Sequence, residues 1–396
     1  MRDFFKISLF LIALFLIGNS SYVSDKSKIH ASDEVPVEDI EQFVDIFKRI
    51  KEQYVDEVND DELFKNAIQG MVNGLDPHSD FLSKDDFDEL KIGTTGRFGG
   101  LGIEITQEDS YIKVISPIDD TPAMRAGILA GDMIIKVDDK DLKDVPINDA
   151  VKLMRGEPGT SVEVTILRKK ENKPIILMIQ REIIISKGIK TKIFKNNIGY
   201  IRLSNFQSNS TSDLQTAFYK LNKESNNKLQ GLIVDLRNNP GGVLGAAVGI
   251  SDLFLQNGKI VETKGRSSNS ELKYEATARD ISNGMSLVVL INEGSASASE
   301  IVAAALQDHG RAIIVGGKAT HGKGTVQQIL PLNRSFIANL AGDSGQLKFT
   351  ISKFYRINGA TTQRDGVTPD VVLPSLLDYL GTSEADLPRA LESDKI

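Results

Sequence analysis

With 396 residues, 26% of them charged and 40% hydrophobic, the chain resembles a soluble globular protein too long for one compact core, so two or three domains are expected. A formal net charge of −7 lacks the basic surplus of a nucleic-acid binder. The chain has no cysteine, and its four histidines (His30, His78, His309, His321) form no metal-ligand spacing; disulfides, a cysteine nucleophile and metal catalysis are therefore set aside.

Arg2 and Lys6 precede an apolar run from Ile7 to Ile17, followed by Gly18-Asn19-Ser20-Ser21. This is the pattern of a secretory signal, assigned to residues 1–24; extended to Val23, the run would instead serve as an uncleaved anchor. Either way the remainder is expected to be exported: periplasmic, or attached to the outer face of the inner membrane. After a polar linker at 24–34, helical spacing of Ile40, Phe43, Val44, Phe47, Ile50 and Tyr54, and a second helical stretch over 61–72, predict a helical N-terminal region at 33–90.

Composition shifts at Gly93. Short β-type stretches, a helix over 147–155, a turn at Gly156-Glu157-Pro158-Gly159 and a strand over 161–168 outline a small, mostly β domain at 91–183. From Ile198, strands at 198–203, 232–235, 287–291 and 313–315 alternate with helices near 212–221, 242–255 and 297–307. Such alternation predicts an α/β layer with a largely parallel sheet, assigned to 184–375, with a C-terminal tail at 376–396.

Three stretches carry chemistry. In Asn292-Glu293-Gly294-Ser295-Ala296-Ser297-Ala298, a serine sits where a strand turns into a helix, beside free N–H groups and the positive end of the helix dipole. That suits a nucleophile whose reaction makes an oxyanion, and equally an ordinary N-cap. Lys323, flanked by Gly322 and Gly324, is either a base whose pKa burial has lowered or a surface loop lysine. Asp235-Leu236-Arg237-Asn238-Asn239-Pro240-Gly241-Gly242 ends a strand in a turn that exposes amides, an oxyanion-hole candidate or merely a tight connection. A phosphate loop at 317–324 fails, because Gly324 replaces the hydroxyl residue and no helix follows. In a Ser-His-Asp arrangement with Asp308 or Asp235 as orienting residue, His309 lies too far along the helix after Ser297, whereas His321 stays open.

Taken together, LDPHSDFL (75–82), FGGLGIEI (98–105), DLRNNPGG (235–242), SASASEIVAAALQD (295–308), GKGTVQ (322–327) and TISKFYRINGATTQRDGVTPD (350–370) resemble the carboxyl-terminal processing peptidases, a serine–lysine family with a PDZ domain. The resemblance implies an α/β protease core with a crotonase-like sheet, a small PDZ domain and a helical N-terminal region. It implies Ser297 as nucleophile, Lys323 as base and Gln327 as the residue orienting the amine. Gly241 or Gly242, with Ala298, would supply the oxyanion hole, and Asp308 would support the site. Gly100, Leu101, Gly102 and Ile103 would bind a terminal carboxylate, and Leu101, Ile103, Ala150 and Met154 would line the peptide groove. The function implied is endoproteolysis of exported proteins near exposed, apolar C-termini, without metal or organic cofactor. Membrane association through the N-terminus and a homodimer are compatible with it. The rival from another class is a scaffold that binds tails through the PDZ groove alone. One departure stands out: His321 replaces a usual aromatic beside Lys323.

Overall fold

A computed structural model describes residues 36–108, 110–169, 171–186, 188–277, 280–331, 345–374 and 383–396. The segment assigned as signal or anchor lies outside them, and among the described residues no helix is long and apolar enough to cross a membrane. The chain divides into two compact units, Met1–Lys65 and Asn66–Ile396.

In the first unit, helix Val37–Gln53 is amphipathic, yet none of its residues is buried. Phe47 stacks on Phe64 at 4.8 Å between ring centroids, while Ile40, Phe43, Val44 and Ile46 remain exposed.

The second unit begins its β structure with strand Asp80–Leu82 and helix Lys84–Thr95, capped by Ser83 and Asp86 and ended by Gly96 in the left-handed conformation. The helix runs through residue 90 and strand Glu182–Ile185 through residue 183, so continuous elements cross both boundaries expected for the PDZ domain. Between them, strands Ile103–Glu108, Tyr111–Pro117, Met133–Val137, Ser161–Leu167 and Ile175–Gln180 pair in that order, antiparallel throughout. Alternating residues such as Ile112 and Val114, and Val162, Val164 and Ile166, point inward against helix Ile147–Met154. Ala150, expected in the peptide groove, is fully buried in this core. A residue without a side chain beyond Cβ packs the helix close to the sheet and offers nothing to a ligand.

The α/β layer has the sheet order Ile189–Phe194, Ile198–Leu203, Gly231–Asp235, Ser286–Ile291, Ile313–Gly316, Val371–Val372. All its neighbours are parallel except the first pair. Alternate residues of its strands (Ile201 and Leu203, Leu232 and Val234, Leu287, Val289 and Ile291) are buried in the core, while Ile233, Val288 and Leu290 on the opposite face are only half-buried. Helices Ser210–Glu224, Leu244–Asp252 and Ala298–Asp308 pack against it. Every residue from Ala298 to Leu306 is buried, which the run of alanines permits by letting the backbone approach its neighbours.

A second, antiparallel sheet lies on the other side of this helical layer. Strand Gln346–Tyr355 pairs with Asp80–Leu82, Lys259–Gly265 and Thr325–Pro331, and Lys259–Gly265 also pairs with Leu272–Glu275. The final residues, expected as a tail, fold back onto the protein: Ile396 N–H donates to Gly359 O, and Glu384 has no exposed surface.

Candidate active site

The parallel strands end side by side, and their outgoing turns are stitched together. Asn238 N–H donates to Asn292 Oδ1, and Asn292 Nδ2 donates to Asn238 Oδ1, both at 2.8 Å. Ser295 Oγ donates to Leu236 O, while Ala296 N–H and Ser299 Oγ both donate to Asn239 O. Asp235 anchors the base of the turn. Burial alone would push its carboxyl up, but donors on Arg237 and Tyr200 hold it below the usual carboxylate range.

This stitching imposes an unusual backbone on Ser297, with φ 53° and ψ −110°. Such a conformation in a non-glycine residue is strained and persists only where surrounding bonds over-determine it. Gly241 packs against it: a Cβ there would come within 2.8 Å of Ala296 O and 2.9 Å of Ser297 Cβ, and its φ is +102°. Only glycine fits.

The amides sort the two glycines. Gly241 N–H donates to Asn239 Oδ1 at 2.9 Å and is thereby occupied. Gly242 N–H and Ala298 N–H make no hydrogen bond among the described residues, leaving them available to a developing anion beside Ser297.

Glu300, fully buried one turn into the helix, binds two loops at once. Its Oε2 accepts from Ser297 N–H at 2.7 Å and Lys323 N–H at 2.9 Å. Its Oε1 accepts from Thr320 Oγ1 at 2.6 Å and Gly322 N–H at 2.8 Å. Burial pushes its carboxyl up to about 7 against these four donors, which favour the ionised form. Its spacing, three after a serine N-cap, is the only signal it left.

Lys323 follows on the same loop. Burial pulls its ammonium down to about 8, with Lys348 acting in the same direction and Glu384, Glu300 and Asp76 opposing. Its Nζ donates to Gln327 Oε1 at 2.6 Å, and no hydrogen bond joins it to Ser297 Oγ. Gln327 is fixed by donating Nε2 to Thr325 Oγ1 and Thr350 Oγ1. Ser297, Ala298, Gly242, Lys323 and Gln327 line one cavity of about 350 Å³. Apolar side chains, among them Leu244, Ile301, Val326, Ile329 and Phe354, form much of its wall.

Asp308 is not in this cavity. Its Oδ2 accepts from Arg356 Nε at 3.0 Å, tying the helix's last turn to the end of the second sheet. His309 Nε2 lies 2.8 Å from Lys259 O at that far end, and Asp235 is taken up by Arg237 and Tyr200, so neither serves as a partner for Ser297. His321 Nε2 lies 3.4 Å from Glu384 Oε2.

In the β domain, the carbonyls of Leu101 and Gly102 are held by Ala123 N–H and Ile118 N–H, while their own amides make no hydrogen bond among the described residues. Gly102 has φ +78°, and a Cβ there would meet Thr121 at 2.4 Å. Gly100, Leu101, Gly102, Ile103 and Met154 line a small apolar groove of about 130 Å³ together with Ile105 and Val151. The last two were not foreseen.

Residues 197–373 match the peptidase family S41, residues 99–178 a PDZ domain, and residues 14–86 the activating protease CtpB N-terminal domain. Over 366 residues the chain is 42% identical to a carboxy-terminal-processing protease of Bartonella bacilliformis, covering 92% of this chain and 82% of that one. The chain belongs to the carboxy-terminal processing proteases of peptidase family S41. It is also 32% identical over 386 residues to the carboxy-terminal processing protease CtpA of Bacillus subtilis, spanning 97% of this chain and 77% of the relative. Among solved structures, a photosystem II D1 C-terminal processing protease is 28% identical, with a TM-score of 0.47, over 87% of this chain and 92% of that one. The S41 protease is therefore a serine-type peptidase with a PDZ domain, an α/β core and N-terminal helices.

Proposed function

We propose that this family member cleaves exported proteins near their C-termini through a Ser297–Lys323 dyad. The observation that carries this reading is one cavity holding a serine on a strained strand-to-helix turn and a lysine whose ammonium burial lowers to about 8. At that value about a tenth of the amine is free base at pH 7, against well under a thousandth for an ordinary lysine, and a general base must be in that form. Ser297 Oγ attacks the scissile carbonyl while Lys323 Nζ takes its proton. The oxyanion is received by Gly242 N–H and Ala298 N–H. The proton then passes to the leaving amine, and water releases the acyl group by the same route in reverse. Nζ donates to Gln327 Oε1, a bond the neutral amine can keep while its lone pair accepts the Ser297 proton, so Gln327 is the residue that orients it.

The PDZ groove would recruit the substrate. Free amides at Leu101 and Gly102 suit a terminal carboxylate, and Ile103, Ile105, Val151 and Met154 suit an apolar side chain added beside strand Ile103–Glu108. The apolar run at 7–17 supports export, with periplasmic location or attachment to the outer face of the inner membrane. The exposed apolar face of helix Val37–Gln53 supports a homodimer.

Digestion of an unfolded protein substrate, with and without EDTA, tests the reading alongside Ser297→Ala and Lys323→Ala. The parent should cut in the presence of the chelator, and each variant should lose nearly all activity. Parental rates in both variants would refute the dyad.

A further inference from the structure

The Lys323 loop is braced from behind by the last residues of the chain. Glu384 is fully buried, with Oε2 2.8 Å from His78 Nε2 and 3.4 Å from His321 Nε2. Its Oε1 accepts from Gln363 Nε2 at 2.9 Å. The Glu384 backbone N–H donates to His321 O at 2.8 Å, and Gly324 N–H donates to Gln363 Oε1 at 2.8 Å. One carboxylate thus touches both flanks of Lys323, two residues before it directly and one residue after it through Gln363.

A buried carboxylate is costly unless donors surround it. Burial pushes this one up, but His321, His78 and Gln363 overcome that and hold it well below the usual carboxylate range. The His78 backbone is itself fixed: its main-chain N–H donates to Asp76 Oδ1, and Asp76 Oδ2 accepts from Ser79 Oγ. Ser79 Oγ in turn accepts from Thr350 N–H, and Thr350 Oγ1 accepts from Gln327 Nε2. The network therefore runs from the C-terminal segment, through the DPHS turn, to the partner of the Lys323 amine.

We propose that Glu384 is a positioning residue for the reaction: a buried anion that clamps the Lys323 loop through His321 and Gln363 and whose charge acts on the Lys323 amine. This rests on the dyad proposed above. The charges bearing on Lys323 are Glu384, Glu300 and Asp76, which favour the ammonium, and Lys348, which opposes it. The titratable groups in contact with Glu384 are His78 and His321; Asp386, on the same turn, is taken up by Ser383. An anion near the amine stabilises its protonated form, so it places the onset of activity at higher pH than an uncharged residue would.

The test is the pH profile of kcat and kcat/KM on a C-terminally tagged protein substrate, for the full-length parent, Glu384→Gln, Lys348→Gln and Gln363→Met. Glu384→Gln should move the acidic limb down by about half a pH unit or more, and Lys348→Gln should move it up. Gln363→Met keeps the charge but cuts the link to Gly324; kcat should fall on the order of ten-fold, with KM and the limb unchanged. A limb unmoved by Glu384→Gln overturns the proposal. If that variant does not fold by circular dichroism, a parental kcat in Gln363→Met overturns the clamp. Failure of the dyad reads separately, as persistent activity in Ser297→Ala.

Discussion

Ser297 and Lys323 donate their backbone N–H groups to the same oxygen, Glu300 Oε2, at 2.7 and 2.9 Å. The turns that leave two neighbouring parallel strands, Ser286–Ile291 and Ile313–Gly316, are thereby held at a fixed separation by a side chain that reaches neither reacting atom. The proposed nucleophile and base owe their relative placement to this carboxylate rather than to a direct bond between them.

Replacing it by an amide tests that dependence. In Glu300→Gln, one of the backbone donors at Ser297, Gly322 or Lys323 must face an NH₂ group. An unpaired buried donor costs about 1–3 kcal/mol, so the urea midpoint should fall. Activity of the folded variant should drop about a hundred-fold, because misplacing either turn disturbs attack geometry. Glu300 also shapes pH-stability. Its folded value near 7 lies above the ordinary range, so its contribution is full below about pH 4.3 and lost as pH rises through 7. Urea titrations between pH 5 and 8 should show that slope flattened in the variant.

The Lys323 value near 8 sets the proposed enzyme's pH dependence. The reactive form is the neutral amine, so kcat/KM should rise up to about pH 8 and fall roughly ten-fold per unit well below it. Steady-state assays from pH 5.5 to 9.5 measure this. A limb centred near 6.5 and lost in His321→Phe would transfer the base role to the histidine.

The PDZ groove predicts a division between recruitment and chemistry. Ile105 faces the groove and stands outside the catalytic cavity. Ile105→Glu should raise KM for a protein ending in an apolar tail by about ten-fold. Cleavage of a short internal peptide without that tail should be unchanged.

Asp308 predicts a stability effect. It pairs with Arg356 at 3.0 Å, and both side chains are largely buried. Asp308→Ala leaves that guanidinium without its carboxylate and should cost ~2–4 kcal/mol, read by thermal or urea unfolding. The activity of the folded fraction should stay within a few-fold of the parent.

What the sequence made legible was local. The Pro-Gly-Gly turn, the serine before an alanine-rich helix and the glycines around Lys323 are read from residue types whose conformational preferences act within a few positions. The strands from 198 to 315, alternating with helices, likewise announce a largely parallel sheet. Glu300 was harder to see, because a glutamate three residues after a serine reads first as a cap, and its other donors lie at least 20 positions away. Glu384 left no signal at all: its contact with His78 spans 306 positions and follows no period. Residues 383–396 looked like a tail because charge and turn residues there say nothing about what lies opposite. The resemblance put Ala150 in the groove, whereas it is buried in the core of the β domain, a difference that residue type alone does not carry.

The most direct measurement is covalent labelling with a peptidyl fluorophosphonate, followed by peptide mapping in the mass spectrometer. The dyad predicts one adduct, on Ser297, formed at a rate that climbs toward pH 8 and is abolished in Lys323→Ala. An adduct on another residue, or labelling of Ser297 at the parental rate without Lys323, would contradict it.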